Sequence, residues 1–323
     1  MIVTLTPNPS TDATLTLAGS LARGSVLRAR TVTHVAGGKG VNVAHAAHLA
    51  DAETLAVFPA ADEDPYLPLV RATGVPYLAG PSTGTVRTNT TITEPDGTTT
   101  KINGPGPELS PADLDHLLAL AAGAASESPD SWLVLAGSLP PGVPHDWYGR
   151  AVNEVRAQAP GLRVALDTSD AAMVALGEGF PGFAPDLIKP NGLELGQLVG
   201  CDGAGLEAAA ARGEYEGVVA AARKVTERGV GNVLVTLGGS GAVLVTYAGA
   251  WRATPPPTRV LSTVGAGDSS LAGYLLAAEQ SASAPERLRQ AVAYGSAAAG
   301  LPGTQLPRPD QVNLAATQVT SLD

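Results

Sequence analysis

The chain has 323 residues, of which 44% are hydrophobic and 4% aromatic, and its formal net charge at pH 7 is −10. A chain of this length forms one large α/β domain or two smaller ones, with a sizeable core built from Ala, Val and Leu. The negative charge argues against a nucleic-acid or acidic-membrane partner, and the single cysteine, Cys201, excludes an intramolecular disulfide and fits a reducing compartment.

Short apolar runs alternate with Ala-rich segments along the chain. The runs predict strands at residues 2–5, 55–58, 133–136, 164–166, 187–188, 233–237 and 242–247. The intervening and following segments predict helices at residues 40–50, 110–124, 145–158, 191–199, 217–228, 268–279 and 285–299. Because nearly continuous apolar strands alternate with helices, we predict an α/β fold whose mostly parallel sheet is covered on both faces.

Two stretches, residues 13–35 and 84–104, depart from this alternation and are rich in Thr and Val. In the second stretch, a turn at 94–97 separates two alternating segments, which predicts a hairpin. We expect both stretches to form a small, half-exposed antiparallel sheet that acts as a lid. No linker or repeat is apparent, so residues 1–323 are interpreted as one catalytic domain.

No targeting or membrane segment is expected. Residues 1–6 lack the basic region of a signal peptide and run directly into Pro7 and Pro9. No apolar run reaches the ~18 residues that a membrane span needs. The sequence therefore predicts a cytoplasmic protein.

The stretch 262–269 combines a glycine-rich turn with the start of a predicted helix. Gly265, Ala266 and Gly267 carry little or no side chain, so successive N–H groups face one concavity at a helix N-terminus, which favours an anion. A carboxylate at this place, Asp268, is explained if it takes a proton from a hydroxyl that attacks a phosphoryl group held by the glycines. The alternative is an N-cap aspartate after a glycine turn.

A second glycine-rich loop, with Gly37, Gly38 and Lys39, opens the first predicted helix. It is not a Walker A loop, because Lys39 is followed by Gly, and neither glycine loop has the dinucleotide-binding spacing. A helix N-terminus with an ammonium suits a substrate phosphate, and Asn42, one turn further on, suits sugar hydroxyls. The alternative is a helix start with a solvated lysine.

Polar residues or glycines follow several predicted strands, and these positions are Asp12, Ser138, Asp167, Lys189 with Asn191, and Gly238. Ligands of open α/β sheets bind outside the carboxyl ends of the strands. We therefore expect several of these residues to meet at one edge of the sheet, while others serve as caps or turn residues.

Three residues suit a sugar that carries a phosphate. Asp12, placed at the end of the first strand, suits hydrogen bonds from a vicinal diol. Arg87 and Asn89 alternate on one face of a lid strand, so they would cover the substrate, with the guanidinium directed to a phosphate. The alternatives are a turn carboxylate at position 12 and an ordinary surface strand around position 88.

The segment that starts at Lys189 places Asn191 at a helix N-cap and Glu194 at the capping-box position. The same two residues suit Mg²⁺ held through water, since this ion retains its hydration shell. A later strand leads into a glycine loop that suits either a nucleotide or a hairpin turn and contains Thr236, Gly238 and Gly241.

Taken together, these residues resemble the phosphofructokinase-B group of the ribokinase superfamily. The matching segments are 4–9 with Asp12, 37–44, 137–140, 167–169, 189–191 with Glu194, and 262–269. Within the group, Lys39 and the segments 100–107 and 301–304 resemble the 1-phosphofructokinases, although tagatose-6-phosphate kinases share much of this pattern. The resemblance implies a Rossmann-like three-layer α/β sandwich with a β-sheet lid, ATP and Mg²⁺ as cofactors, and a homodimer formed through the lid.

The resemblance also implies a role for each matching residue. It makes Asp268 the base and residues 265–267 the anion hole. The sugar would be bound by Asp12, Gly38 and Asn42, and its phosphate by Lys39, Arg87 and Ser138. The nucleotide–metal side would contain Lys189, Asn191, Glu194, Thr236 and Gly238.

The reaction expected from this resemblance is ATP-dependent phosphorylation of fructose 1-phosphate at C6. The same chemistry on tagatose 6-phosphate or another sugar phosphate is the alternative, and a sugar-phosphate-binding regulator without catalysis is a rival of another class. Two departures from the family pattern bear on lid fit and substrate choice. Residues 59–65 replace a glycine-rich turn, and Gly104 stands where related enzymes often carry an acidic residue.

Overall fold

The computed structural model describes residues 1–323, which form fourteen strands and ten α-helices. The strands are β1 (Ile2–Leu5), β2 (Ser10–Leu17), β3 (Ala29–Gly37), β4 (Thr54–Pro59), β5 (Tyr77–Gly80), β6 (Arg87–Thr93), β7 (Thr99–Asn103), β8 (Trp132–Ala136), β9 (Arg163–Asp167), β10 (Leu187–Ile188), β11 (Asn232–Thr236), β12 (Ala242–Thr246), β13 (Gly249–Thr254) and β14 (Gln318–Ser321). The helices are α1 (Lys39–His48), α2 (Tyr66–Thr73), α3 (Pro111–Ser126), α4 (Trp147–Gln158), α5 (Asp170–Gly179), α6 (Gly192–Val199), α7 (Gly203–Ala211), α8 (Glu216–Thr226), α9 (Ala266–Glu279) and α10 (Ala284–Ala299). None of the helices is both long and apolar enough to cross a membrane.

Ten strands form the central sheet in the order β14-β13-β12-β11-β10-β9-β8-β1-β4-β5. Every neighbouring pair from β11 to β5 is parallel, and β12 to β14 extend the sheet with antiparallel pairs. The prediction of a mostly parallel sheet is confirmed. The parallel order brings the carboxyl ends of β1, β8, β9, β10 and β11 to one edge, where ligands of such sheets bind.

The sheet is covered on both faces, as the apolar strands predict. Along β8, Leu133 and Leu135 face a cluster with helices α3 to α8, while Trp132 and Val134 face a second cluster with α1, α9 and α10. Both clusters consist largely of buried Ala, Val and Leu side chains. The α/β sandwich is therefore three layers deep, as predicted.

The two inserted stretches form a second sheet of four strands in the order β3-β2-β6-β7. Its hairpin turn is confirmed, since the Glu94 N–H donates to the Thr98 carbonyl at 2.9 Å. The prediction of a purely antiparallel sheet is wrong at one place, because β2 and β6 run parallel over residues 10–16 and 87–93. Parallel neighbours need a crossover connection, and the segment from β3 through β5 supplies it.

Several elements were not predicted. The helices α2, α5 and α7 are short, and α5 and α7 carry glycines that interrupt the apolar spacing. The strands β5 and β14 have only four residues each, so they offer little alternation to detect. The position of Asp12 was also predicted wrongly, because it lies within β2, in the small sheet, and not at the end of β1.

Candidate active site

The glycine-rich turn before α9 has the geometry of an anion cradle. Gly265 adopts φ 75°, in the left-handed region, and α9 begins at Ala266. This reversal leaves the N–H groups of Gly267 and Asp268 without an acceptor in the chain, as expected in the first turn of a helix. The site therefore presents free donors and the positive end of a helix dipole.

Asp268 lies in this first turn and is buried, with 8% of its surface exposed. Asn42 of α1 donates from Nδ2 to its Oδ2 at 2.8 Å, because α1 packs against α9. Burial raises the pKa of Asp268 to about 6, and the charge of Asp167 adds to the rise, while Lys39 and Asn42 oppose it. A carboxylate with a pKa near neutrality is suited to accept a proton from a hydroxyl.

Asp167 at the end of β9 joins two lysines below this cradle. Its Oδ1 is 2.7 Å from Lys39 Nζ, and its Oδ2 is 3.0 Å from Lys189 Nζ. Burial would raise the pKa of Asp167, but the two ammonium groups outweigh it and lower the pKa. Lys189 Nζ also lies against Gly267, 3.3 Å from the position that a Cβ there would take. The triad of Lys39, Asp167 and Lys189 therefore extends to the anion cradle.

The sequence pattern around Asp167 indicates no specific role. A carboxylate after an apolar strand is also an ordinary turn residue. The stronger signal is the lysine content, since Lys39 and Lys189 are two of only four lysines in the chain. Their pairing needs β9 and β10 next to each other and the first residue of α1 close to the end of β9, which is a property of the fold.

A second cationic pocket surrounds Arg87 at the start of β6. Its Nη2 donates to Ser138 Oγ at 3.1 Å and its Nη1 to the Gly104 carbonyl at 3.0 Å. Its Nε is buried without a partner. Burial lowers the pKa of Arg87, and the nearby Asp12 opposes this shift. A buried guanidinium beside a hydroxyl, with a donor unused, is suited to a phosphate.

Asn8, which sequence analysis did not single out, holds this pocket together. Its Nδ2 donates to the Pro105 carbonyl at 3.1 Å and lies 3.4 Å from Ser138 Oγ. A Cβ on Gly106 would overlap its side chain. Asn8 therefore fixes the loop after β7 against the loop after β8. In the sequence, Asn8 is only a polar residue between Pro7 and Pro9, and this pattern alone does not predict the contact.

Asp12, on β2 of the small sheet, lies beside the glycine loop. Ser10 Oγ donates to its Oδ1 at 2.8 Å, and Asn89 Nδ2 is 3.3 Å from the same oxygen. A Cβ on Gly37 would overlap the Asp12 carboxylate, so the loop requires glycine there. Gly38 follows with φ 115°. Burial raises the pKa of Asp12. Three residues predicted on the substrate side, Asp12, Asn89 and Gly37, are thus neighbours.

The capping box at the start of α6 is confirmed. Asn191 N–H donates to Glu194 Oε2, and Glu194 N–H donates to Asn191 Oδ1, both at 2.8 Å. The other oxygen, Oε1, accepts no hydrogen bond and lies 4.0 Å from Lys39 Nζ. Burial raises the pKa of Glu194. The residue therefore has a structural role and still presents one free oxygen towards the lysine.

The glycine loop after β11 is a hairpin turn, the alternative left open by the sequence. Leu237 N–H donates to the Gly241 carbonyl at 2.8 Å, and a Cβ on Gly241 would overlap the Ala253 carbonyl. The turn itself thus accounts for Gly241. Thr236 forms a parallel β-bridge with Asn191. Gly238, two residues after Thr236, adopts φ 55°. These two residues remain next to α6.

Comparisons with known proteins agree with this geometry. A model of the pfkB family carbohydrate kinases matches residues 8–311. A 1-phosphofructokinase of Rhodobacter capsulatus is 37% identical to this chain, over 99% of this chain and 96% of the relative. A 1-phosphofructokinase of Xanthomonas campestris is 35% identical, over 85% of this chain and 83% of the relative. A solved structure of phosphofructokinase-2 from Escherichia coli in complex with fructose-6-phosphate has a TM-score of 0.82, with 28% identity over 96% of each chain.

The family model covers the glycine loops, the lysine–aspartate triad and Asp268 together, and the curated relatives extend over most of their own length. The chain therefore belongs to the pfkB family of carbohydrate kinases.

Proposed function

We propose that the protein transfers the γ-phosphoryl group of ATP to the C6 hydroxyl of fructose 1-phosphate, giving fructose 1,6-bisphosphate and ADP. The observation that carries this proposal is the presence of two polar centres. Asp268 with the free N–H groups of α9 suits a hydroxyl that attacks a phosphoryl group. Arg87 with Ser138 suits the phosphate that the sugar already carries. The relatives named 1-phosphofructokinase support the choice of sugar.

The chain's own residues account for the proton transfer. The C6 oxygen forms a bond to the γ-phosphorus while the bond from phosphorus to the β–γ bridging oxygen breaks. The hydroxyl proton passes to the Asp268 carboxylate, which Asn42 orients through its hydrogen bond. The N–H groups of Gly267 and Asp268 stabilise the negative charge on the transferred oxygens. Asp12 and Asn89, beside Gly37, hold the sugar hydroxyls.

The nucleotide and its metal would lie on the α6 side. No group of three or more acidic, histidine or cysteine side chains is arranged to hold a metal alone. The free Oε1 of Glu194 fits a magnesium ion that arrives with the nucleotide and keeps most of its water shell. Mg²⁺ would neutralise charge on the phosphates. Asn191, Lys189, Thr236 and Gly238 then border the phosphate and ribose.

The small sheet is proposed to act as a lid within a single catalytic domain, residues 1–323. Arg87, Asn89 and Asp12 all lie on its strands, so its closure over the sugar would exclude water. Exposed apolar residues on this sheet and its β2–β3 loop, including Val26, Val32 and Ile102, support a homodimer formed through the lid. The single cysteine supports a cytoplasmic location.

The pH dependence should report the Asp268 carboxylate. Because this group must be unprotonated to act as a base, we expect kcat/KM to fall about tenfold per pH unit below pH ~6. Sugar phosphates titrate in the same range, so the pKa is read directly from the ¹³C NMR signal of the side-chain carboxyl. The Asp268→Asn spectrum assigns that signal. A pKa near the ordinary value of aspartate would contradict this role.

Replacing Arg87 with Ala should weaken binding of the phosphorylated sugar. Losing a charge-assisted hydrogen bond of roughly 1.5–3 kcal/mol predicts a KM for fructose 1-phosphate at least ~10-fold higher. The KM for ATP should change less than ~2-fold by the same argument. Steady-state kinetics with each substrate varied in turn measures both values, and Arg212→Ala, at an exposed ion pair, is the control. An increase confined to ATP would move Arg87 to the nucleotide side.

ADP formation and product identity test the proposed reaction. The purified protein is incubated with ATP, Mg²⁺ and fructose 1-phosphate, ADP is measured by a coupled assay, and the sugar product is examined by ³¹P NMR. We expect one fructose 1,6-bisphosphate for each ADP. Tight binding of the sugar phosphate without ADP formation would instead favour the non-catalytic regulator. The intact Asp268 and residues 265–267 already argue against that function.

A further inference from the structure

We propose that Lys39 is a catalytic residue that contacts the phosphoryl group in transfer, and that it does not bind the phosphate that the sugar brings. This inference rests on the proposed function and divides its cations between two tasks. Arg87 recognises the phosphate of the substrate, whereas Lys39 stabilises the group that moves. The resemblance to known kinases placed both cations on the same phosphate, and the geometry separates them.

The position of the Lys39 ammonium group supports this assignment. Lys39 Nζ is 2.7 Å from Asp167 Oδ1 and 4.0 Å from Glu194 Oε1. Asp167 also binds Lys189, whose ammonium lies against Gly267 in the anion cradle. The Lys39 ammonium is thus one carboxylate away from the N-terminus of α9. It faces the free oxygen of Glu194, and the charge of Asp268 in the first turn of α9 also acts on it, so it borders the place where the proposed nucleotide phosphates would sit.

The two cations also have different charged neighbours. The carboxylates that act on the charge of Lys39 are Asp167, Glu194 and Asp268. The carboxylate that acts on Arg87 is Asp12, and its hydrogen bonds go to Ser138 and to a backbone carbonyl. No acidic partner is shared. Lys39 therefore belongs to the centre that contains the proposed base, and Arg87 belongs to the pocket at the small sheet.

The ammonium group of Lys39 is chemically suited to contact the transferred phosphoryl group. As the bond to the leaving oxygen breaks and the bond to the C6 oxygen forms, negative charge spreads over the equatorial oxygens of the transferred group. An ammonium has three N–H donors, and one of those on Lys39 is used by Asp167. The other two are available to the phosphoryl oxygens while Asp167 holds the nitrogen in place. About 31% of the Lys39 side chain is exposed, so a ligand can reach it.

The choice of lysine agrees with this assignment. The chain uses arginine for sixteen of its 20 basic residues, since only positions 39, 101, 189 and 224 are lysine. A compact ammonium fits between Asp167 and a phosphoryl group, whereas a planar guanidinium offers its donors as a wide fork. Arg87, by contrast, uses that fork to bind Ser138 and the loop carbonyl together.

The test compares Lys39→Met with Arg87→Ala in two measurements. Binding of fructose 1-phosphate to the nucleotide-free enzyme is measured by calorimetry, and kcat is measured with both substrates saturating. For Lys39→Met we expect kcat to fall at least ~100-fold, as when one donor to a developing charge is removed, with a Kd within about threefold of wild type. For Arg87→Ala we expect the Kd to rise at least ~10-fold while kcat changes much less.

Two further variants keep this result interpretable. Lys39→Arg leaves a positive charge beside Asp167, so it should fold even if Lys39→Met does not, and it should also lower kcat with an unchanged Kd. Lys224→Met, at an exposed position on α8, is the matched lysine control and should behave as wild type. Thermal melting of each variant confirms that the compared proteins are folded.

The inference is overturned if either Lys39 variant weakens fructose 1-phosphate binding tenfold or more while kcat at saturation is retained. That result would return Lys39 to the phosphate of the sugar. Failure of the proposed function looks different, because the wild-type enzyme itself would then turn over another sugar phosphate faster. In that event the same pair of measurements, made with the faster sugar phosphate, decides the role of Lys39 by the same criteria.

Discussion

Asp268→Asn is expected to lower kcat for the sugar kinase reaction at least ~10²-fold, because the variant loses its general base. The amide is nearly isosteric with the carboxyl group and can still accept the hydrogen bond from Asn42. The free N–H groups in the first turn of α9 remain, so binding of MgATP should change little. Steady-state kinetics and a nucleotide titration measure these two quantities.

Asp268 makes no ion pair in the structure, and its buried carboxylate is a cost to folding because burial raises its pKa. We therefore expect the variant to unfold at the same temperature as the wild type or higher. Asp146→Asn, at an exposed ion pair with Arg150, controls for the loss of one carboxylate elsewhere. A folded Asp268→Asn enzyme with nearly normal kcat would contradict the assigned role.

Asp167→Asn should have the largest effect on stability. Asp167 is fully buried and pairs with both Lys39 and Lys189, and removing one partner of a buried ion pair costs about 3–5 kcal/mol. Lys189, which is buried, then loses its ion-pair partner. For a domain of this size, the free-energy loss lowers Tm by roughly 4–7 °C. Calorimetric melting measures the change.

The same substitution, Asp167→Asn, should also change the pH dependence of activity. The charge of Asp167 raises the pKa of Asp268, so removing it should lower that pKa and move the acid limb of the activity profile to lower pH. The phosphate of the substrate titrates as before, which separates the two causes. Asp146→Asn should leave both Tm and the limb unchanged. An Asp167→Asn protein with normal stability and an unmoved limb would refute the triad as described.

The fold was largely predictable because its signals are local. Apolar strands such as Trp132–Ala136 and the helical spacing after them are visible in any short window of the chain, and they predict the parallel sheet. The direction of β6 beside β2 was not predictable in this way, since it depends on how far the chain travels between them. The four-residue strands β5 and β14 are mostly exposed and lack the buried apolar run that identifies the equally short β1.

The site was predictable where glycine marks a backbone requirement. The turn at Gly265 and the contact of Gly37 with Asp12 both need a residue without a side chain, and the motif shows it. The contacts of Asn8 with Pro105 and of Asp167 with Lys39 join residues that lie more than ninety positions apart in the chain. Only the packed sheet brings them together, so a single sequence offers no sign of the pairing.

The phosphate position on the sugar is the central claim, and a comparison of substrates tests it most directly. The values of kcat/KM are measured with MgATP for fructose 1-phosphate, fructose 6-phosphate, tagatose 6-phosphate, ribose and adenosine. Because misplacing one charged contact costs more than about 1.4 kcal/mol, fructose 1-phosphate should exceed both 6-phosphates at least ~10-fold. Preference for a 6-phosphate would contradict the proposed substrate and keep the kinase mechanism, whereas preference for ribose or adenosine would also contradict the phosphate pocket at Arg87.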